Sequence, residues 1–222
     1  GLVVTFAESG HHHLALTLAG YQADTSTVFL GLDEVLELEV VMGLPGMGFI
    51  RGGAFEMGSE SGEYNEKPVH RVVLAPFYID RTEVTVAAFR TFLPRYVSPF
   101  PSDEMPAVGV SWEEATDYCA SLGKRLPSEA EWERACRGAR GIRYSTGDMH
   151  DSERARTGLE MGDGPARVKA FSPGNGGLYG MTGNVWEWCA DWYGRDYYRK
   201  SPEHDPRGPV AGTQRVLRGG AW

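Results

Sequence analysis

Glu187 is the residue of this sequence that most needs a chemical explanation. It lies in Asn184-Val-Trp-Glu-Trp-Cys-Ala-Asp-Trp192, where three of the chain's six tryptophans fall within seven residues. A carboxylate among such side chains must be paired, hydrogen-bonded or metal-bound if it is buried. Two partners fit the sequence. One is a charge-assisted bond to an arginine such as Arg215 or Arg218. The other is a calcium ion, which takes six to eight oxygens, many of them backbone carbonyls. Gly176, Gly177, Gly180 and Gly183 precede the strand and imply tight backbone that brings carbonyls together. The remaining reactive residue types are sparse. Cys119, Cys136 and Cys189 show no Cys-x-x-Cys spacing and are too few for a disulfide framework, so they read as reduced, buried, small apolar residues. His70, His150 and His204 stand alone. Of His11-His-His13 only His11 and His13 share a strand face, which is weak for a metal without a third ligand. Gly-x-Ser-x-Gly, a phosphate loop ending in Lys-Ser/Thr and His-Glu-x-x-His are all absent.

The elements that must position these residues follow from periodicity. An extended Asn184–Trp192 places Trp186, Trp188 and Trp192 on one face and Val185, Glu187, Cys189 and Asp191 on the other. The tryptophan face is expected to be buried, since each indole removes roughly 150–250 Å² from water. Upstream, strands are expected at about 49–57 and 69–80, and a helix over 84–93 with Thr85 as N-cap and Pro94 as its stop. Two capping boxes, Ser111-Trp-Glu-Glu114 and Ser128-Glu-Ala-Glu131, open two further helices, which Gly123 and Gly138 close. Because Ser-x-x-Glu accounts for the acids here, Glu129, Glu131 and Glu133 are not read as a catalytic carboxylate cluster. From Gly138 to Asn175 the pattern is irregular.

Residues 2–42 alternate instead, predicting three or four short antiparallel strands, and Gly43-Leu-Pro-Gly-Met-Gly48 reads as a linker. The net charge of −8 is concentrated at this end: residues 1–46 hold six acidic groups and no Lys or Arg. The remainder is nearly balanced, which argues against a phosphate-backbone partner. No apolar run is long enough to span a bilayer. Partners are therefore expected to be a protein or a small molecule.

Gly-Leu-Tyr-Gly-Met-Thr-Gly-Asn-Val-Trp-Glu-Trp188 closely resembles the signature of the formylglycine-generating enzyme (sulfatase-modifying factor) family. Gly52–Ser59, Arg125–Arg134 and Arg215–Trp222 resemble that family in the expected order. The resemblance implies an α+β, C-type-lectin-like domain with much irregular structure over residues 47–222, C-terminally incomplete. Gly10-His11, Gly20-Tyr21 and Leu36-x-Leu-x-Val40 are similar to a PEGA-type β-module, which implies such a module over residues 1–46 and a bacterial cell-surface or extracytoplasmic location.

The resemblance also carries ligands. A family calcium site would use the carbonyls of Gly183 and Val185 and the carboxylate of Glu187, but the family's further Asp or Asn ligand falls on Gly180. A second site would lie near Asp163 and Arg156, where the family shows Asn in place of the arginine. Oxidase members of the family hold Cu(I) with a cysteine pair just after the Arg-Gly-Gly segment. This chain stops at Trp222, and none of its three cysteines aligns with that pair. The expectation is thus a non-catalytic relative: a binding or accessory domain, in one version a lectin-fold variable protein of a diversity-generating retroelement. The alternative is a fragment of a copper-dependent oxidase that converts a sulfatase cysteine to formylglycine.

Overall fold

The structure, a computed structural model, describes residues 2–4, 10–16, 24–30, 36–38, 43–100, 102–149, 151, 153–158 and 164–222. Among the described residues, four strands lie in the first forty positions. β1 (Leu2–Val4) pairs antiparallel with β4 (Leu36–Leu38), and β2 (Gly10–Leu16) with β3 (Asp24–Leu30). His11 and His13 stand at alternate positions of β2, opposite Phe29 and Thr27.

β5 (Met47–Ile50) and β6 (Gly53–Met57) come next, answered by β7 (His70–Leu74) and β8 (Phe77–Asp80). β5 pairs with β8 and β6 with β7, so each of the two long strands expected from the sequence is broken in the middle. Gly52 and Pro76 explain the break. A Cβ on Gly52 would run into the Leu74 carbonyl and the Pro76 nitrogen, and proline has no N–H to give a ladder. The expected linker is tied down at its end, because Arg81 N donates to Gly46 O and Arg81 Nε to Met47 O, both at 3.0 Å.

Three helices follow as expected. α1 (Val86–Phe92) is capped by Thr85, whose hydroxyl accepts from Ala88 N. α2 (Trp112–Ser121) and α3 (Glu129–Arg137) both open with complete capping boxes, Ser111/Glu114 and Ser128/Glu131. α3 is the centre of the domain. Ala130, Trp132, Ala135 and Cys136 are buried, and so are Glu131, Glu133 and Arg134, so no face of this helix is left to water. One apolar cluster joins Trp132, Ala135 and Cys136 to Ile50, Leu178, Met181, Cys189 and Val216. A second joins Ala130 to Phe55, Met57, Val72, Leu74 and Tyr198. β9 (Glu187–Trp192) and β10 (Arg215–Arg218) form the last antiparallel ladder, with Trp188 opposite Leu217 and Glu187 opposite Arg218. The result is α+β, with few helices, small two-stranded ladders and long irregular connections. Among the described residues no helix is long and apolar enough to cross a membrane.

Candidate functional site

The tryptophan ridge faces the other way from the sequence expectation. Cys189 and Asp191 point into the core at 0% and 3% exposure, whereas Trp186 is 57% exposed and Trp188 and Trp192 are only half-buried. Two interactions settle the orientation. Asp191 is needed inside, because its Oδ2 accepts from Glu129 N (2.9 Å) at the start of α3. The outer face is covered by a cation rather than by a further layer of apolar residues. The Arg215 guanidinium lies 3.6 Å from the Trp112 ring centroid and 3.4 Å from that of Trp192, and donates to Ala190 O at 2.8 Å. The half-buried indoles still satisfy their N–H groups: Trp112 Nε1 donates to Cys189 O and Trp188 Nε1 to Val110 O.

What remains in water is an aromatic rim. Trp186, Tyr193 and Leu217 are three of the exposed apolar residues of the β9–β10 region. They border an open cavity of about 960 Å³, into which Trp192, Glu129, Glu133 and Arg218 also face. This is within the range of ligand-binding clefts.

Buried charge lies beneath that cavity. Arg218 Nη2 donates to Glu133 Oε2 at 2.6 Å, and its Nη1 sits 3.3 Å from Glu129 Oε1. Glu133 Oε1 accepts from Arg137 Nη1 (2.6 Å) and from Gly58 N (2.7 Å), and Glu129 Oε1 accepts from the Tyr198 hydroxyl. Burial pushes the Glu129 carboxyl up to about 7, against the pull of Arg218, with Glu133 and Asp191 adding repulsion. Burial likewise raises Asp191 to about 6. Of the three acids assigned to capping, only Glu131 caps; Glu129 and Glu133 anchor β10 to α3. The sequence signal for this was the spacing of 129, 133 and 137, one helix face in steps of four.

The cysteines lie on α2, α3 and β9 and are unpaired. Burial raises all three thiols: Cys136 to about 12, Cys189 well above the ordinary range, and Cys119 with help from Asp80. Burial thus favours the protonated thiol at all three positions, which disfavours the thiolate that acts as nucleophile or metal ligand.

Of the residues that the resemblance assigns to calcium, Gly183, Val185 and Glu187 lie at and just before the start of β9. Gly183 and Asn184 take positive φ (76° and 66°) just before β9, and Gly183 and Val185 are buried. Glu187 pairs with neither Arg215 nor Arg218. Its Oε2 accepts from Trp132 Nε1 at 2.8 Å, because β9 turns it toward α3 while both arginines are engaged elsewhere. Burial, with repulsion from Glu83, lifts its carboxyl to about 8, opposed by the Trp132 hydrogen bond. Asp163 lies outside the described residues. Arg156, of the same expected second site, donates from Nε to Gly164 O at 3.1 Å.

Glu83, between β8 and α1, was not anticipated. Its Oε1 accepts from Asn184 Nδ2 at 2.7 Å, across 101 residues, and its Oε2 is buried with no partner. A Cβ on Gly180 would collide with this carboxylate. No local pattern in the sequence points to it. Among the described residues no three His, Cys, Asp or Glu side chains group as a metal site.

Residues 34–222 match the family described as sulfatase-modifying factor enzyme 1-like domain. Serine/threonine-protein kinase pkn1 of Chlamydia pneumoniae is 38% identical over 205 residues, covering 79% of this chain and 33% of that protein. The chain thus spans about a third of the length of the curated kinase relatives it matches. The formylglycine-generating enzyme of Streptomyces coelicolor is 35% identical over 77% of this chain and 76% of that enzyme. Among solved structures, Treponema denticola variable protein 1 superposes with a TM-score of 0.72 and 26% identity, covering 79% of this chain and 83% of that one.

Proposed function

This chain belongs to the sulfatase-modifying factor enzyme 1-like family, and within that family we propose that it is a ligand-binding domain rather than a thiol oxidase. The observation that carries the proposal is the apolar, largely aromatic rim of Trp186, Tyr193 and Leu217 around the cavity over Arg218. Rigid aromatic side chains give contact area at little entropic cost, and exposed ones clustered at a cleft mark binding surfaces. The ligand such a rim suits is a peptide or protein segment bearing apolar side chains. The buried Glu129–Glu133–Arg218 network beneath would hold the rim in place as scaffold. Similarity to the variable protein supports this reading, as does similarity to part of a much longer kinase, where a domain of this kind would serve as a binding module.

A second reading, formylglycine generation, is favoured by similarity to the Streptomyces enzyme over most of both chains. It needs two thiolates for Cu(I), and the three thiols here lie on separate elements, where burial disfavours the thiolate form. One pair of experiments separates the two. A random peptide library is displayed and selected on the purified chain and on its Trp186→Ala variant. The chain is also incubated with Cu(I) and a Cys-x-Pro-x-Arg peptide in air, followed by mass spectrometry. Enrichment of apolar sequences on the wild type alone, with an unchanged peptide mass, is expected. Conversion of thiol to aldehyde, or equal enrichment on both proteins, would overturn the proposal.

A further inference from the structure

We infer that a second cavity, walled by β8, α2 and the start of β9, is a binding site for a small, largely apolar molecule that carries no negative charge. The cavity measures about 620 Å³, which is within the range of small-molecule sites. Close-packed interiors keep few voids larger than a water, so a hollow of this size is not ordinary packing. Phe77 and Ile79 of β8, Ala115 and Tyr118 of α2, and Trp188 of β9 line it. Phe77, Ile79 and Trp188 are only half-buried, so apolar surface is left for a ligand to cover. The walls are also fixed in advance. The Trp188 indole N–H donates to Val110 O at 2.9 Å, and the Tyr118 ring lies 5.5 Å from that of Phe89 and 5.8 Å from that of Phe92, between centroids. A preformed wall spares a ligand the entropy of ordering it.

The charged side chains narrow the ligand class. Four acids line the cavity, Asp80, Glu83, Glu131 and Glu187, against two cations, Lys124 and Arg125. Lys124 lies 2.6 Å from Asp80 and Arg125 2.6 Å from Glu131, so both cations are already matched. An anion entering here would lose its hydration and meet net negative charge. Tyr118 brings a hydroxyl to the lining, a polar group of the kind that orients ligands in apolar sites. The site is separate from the cavity under the aromatic rim, because among the described residues only Met181 and Trp186 border both. It is too small for a protein partner, whose stable interface takes about 800 Å² from each side.

Calorimetric titration of the full chain at neutral pH with 1-naphthol and with 1-naphthalenesulfonate tests the inference, since the two probes share a ring system and differ in charge. One molecule of 1-naphthol should bind, with a Kd of about 1 mM or tighter for a ligand of its size, and the sulfonate should bind at least tenfold more weakly. Cys119 reports the location. It lines this cavity and is half-buried, whereas Cys136 and Cys189 are buried. Saturating 1-naphthol should therefore slow the labelling of Cys119 by methyl methanethiosulfonate at least threefold, read by mass spectrometry. Ala115→Phe, which puts a ring into the cavity from α2, should abolish 1-naphthol binding with the circular dichroism unchanged. Tyr118→Phe, a milder change that removes one hydroxyl, should weaken it at least threefold and keeps the test open if Ala115→Phe fails to fold. Absence of 1-naphthol binding to the wild type up to about 5 mM would overturn the assignment. So would equal binding of the sulfonate, 1-naphthol binding that leaves Cys119 unprotected, or wild-type affinity in a folded Ala115→Phe.

Discussion

Replacing Arg218 by Met tests whether the charge network under the cavity holds β10 to the domain. Arg218 is the only cation bonded to Glu129 among the described residues, and it shares Glu133 with Arg137. Glu133 has a side chain only 2% exposed, Glu129 16% and Arg218 20%, so solvent screens the group poorly. Removing one partner of a buried pair leaves an uncompensated charge and costs about 3–5 kcal/mol. The contact of the guanidinium with Trp132, 5.4 Å to the ring centroid, adds about 0.5–1 kcal/mol. The cost should depend on pH with a definite sign. In the folded protein burial holds the Glu129 carboxyl at about 7, above its ordinary 4.5. A raised carboxyl contributes stability that is fully present below the unfolded value and is lost as pH rises through the folded one. Arg218 moderates that loss, and Tyr198 also stabilises the ionised form, while Glu133 and Asp191 work against it. Without Arg218 the Glu129 carboxyl moves further up, so the variant should lose more stability than the wild type between pH 5 and pH 8. Each pH unit over which the wild-type group is ionised and the variant's is not is worth about 1.4 kcal/mol. Urea denaturation of both proteins at pH 5 and pH 8 measures the difference. A cost under about 1 kcal/mol at pH 8, or one that is the same at both pH values, would refute the assignment of Glu129 to this network.

Three further substitutions probe other features. Trp186→Ala should change stability by less than about 0.5 kcal/mol in urea denaturation, since the side chain is 57% exposed, while it abolishes peptide selection. Ser128→Ala should cost about 1–2 kcal/mol and Ser111→Ala less, because both remove a capping box but only Ser128 is buried away from water that can replace it. Gly52→Ala should destabilise by about 1–3 kcal/mol in the same assay, because its new Cβ meets the backbone at Leu74 and Pro76, which cannot swing aside.

The parts of this fold that were legible in the sequence are those whose causes are local. Thr85, Ser111 and Ser128 cap their helices as read, because a cap is decided within three or four residues. Alternation correctly separated Trp188 and Trp192 from Cys189 and Asp191. It could not say which set faces inward, since that depends on Asp191 meeting the start of α3 and on Arg215 covering the tryptophans. Glu187 was rightly seen to need a partner, but Trp132 is 55 residues away and an indole N–H carries no charge for a sequence search to match. Glu129 and Glu133 were explained too early, because a local account was at hand while Arg218 lay 89 and 85 residues off. Gly180 shows why such errors share one direction. In the sequence Gly180 reads as tight backbone and as a missing side chain, and only the fold reveals that the Glu83 carboxylate, held by Asn184, fills that volume. A position that lacks a side chain and a position that makes room for one from elsewhere are the same letter, and what distinguishes them is the carboxylate on the other side of the gap.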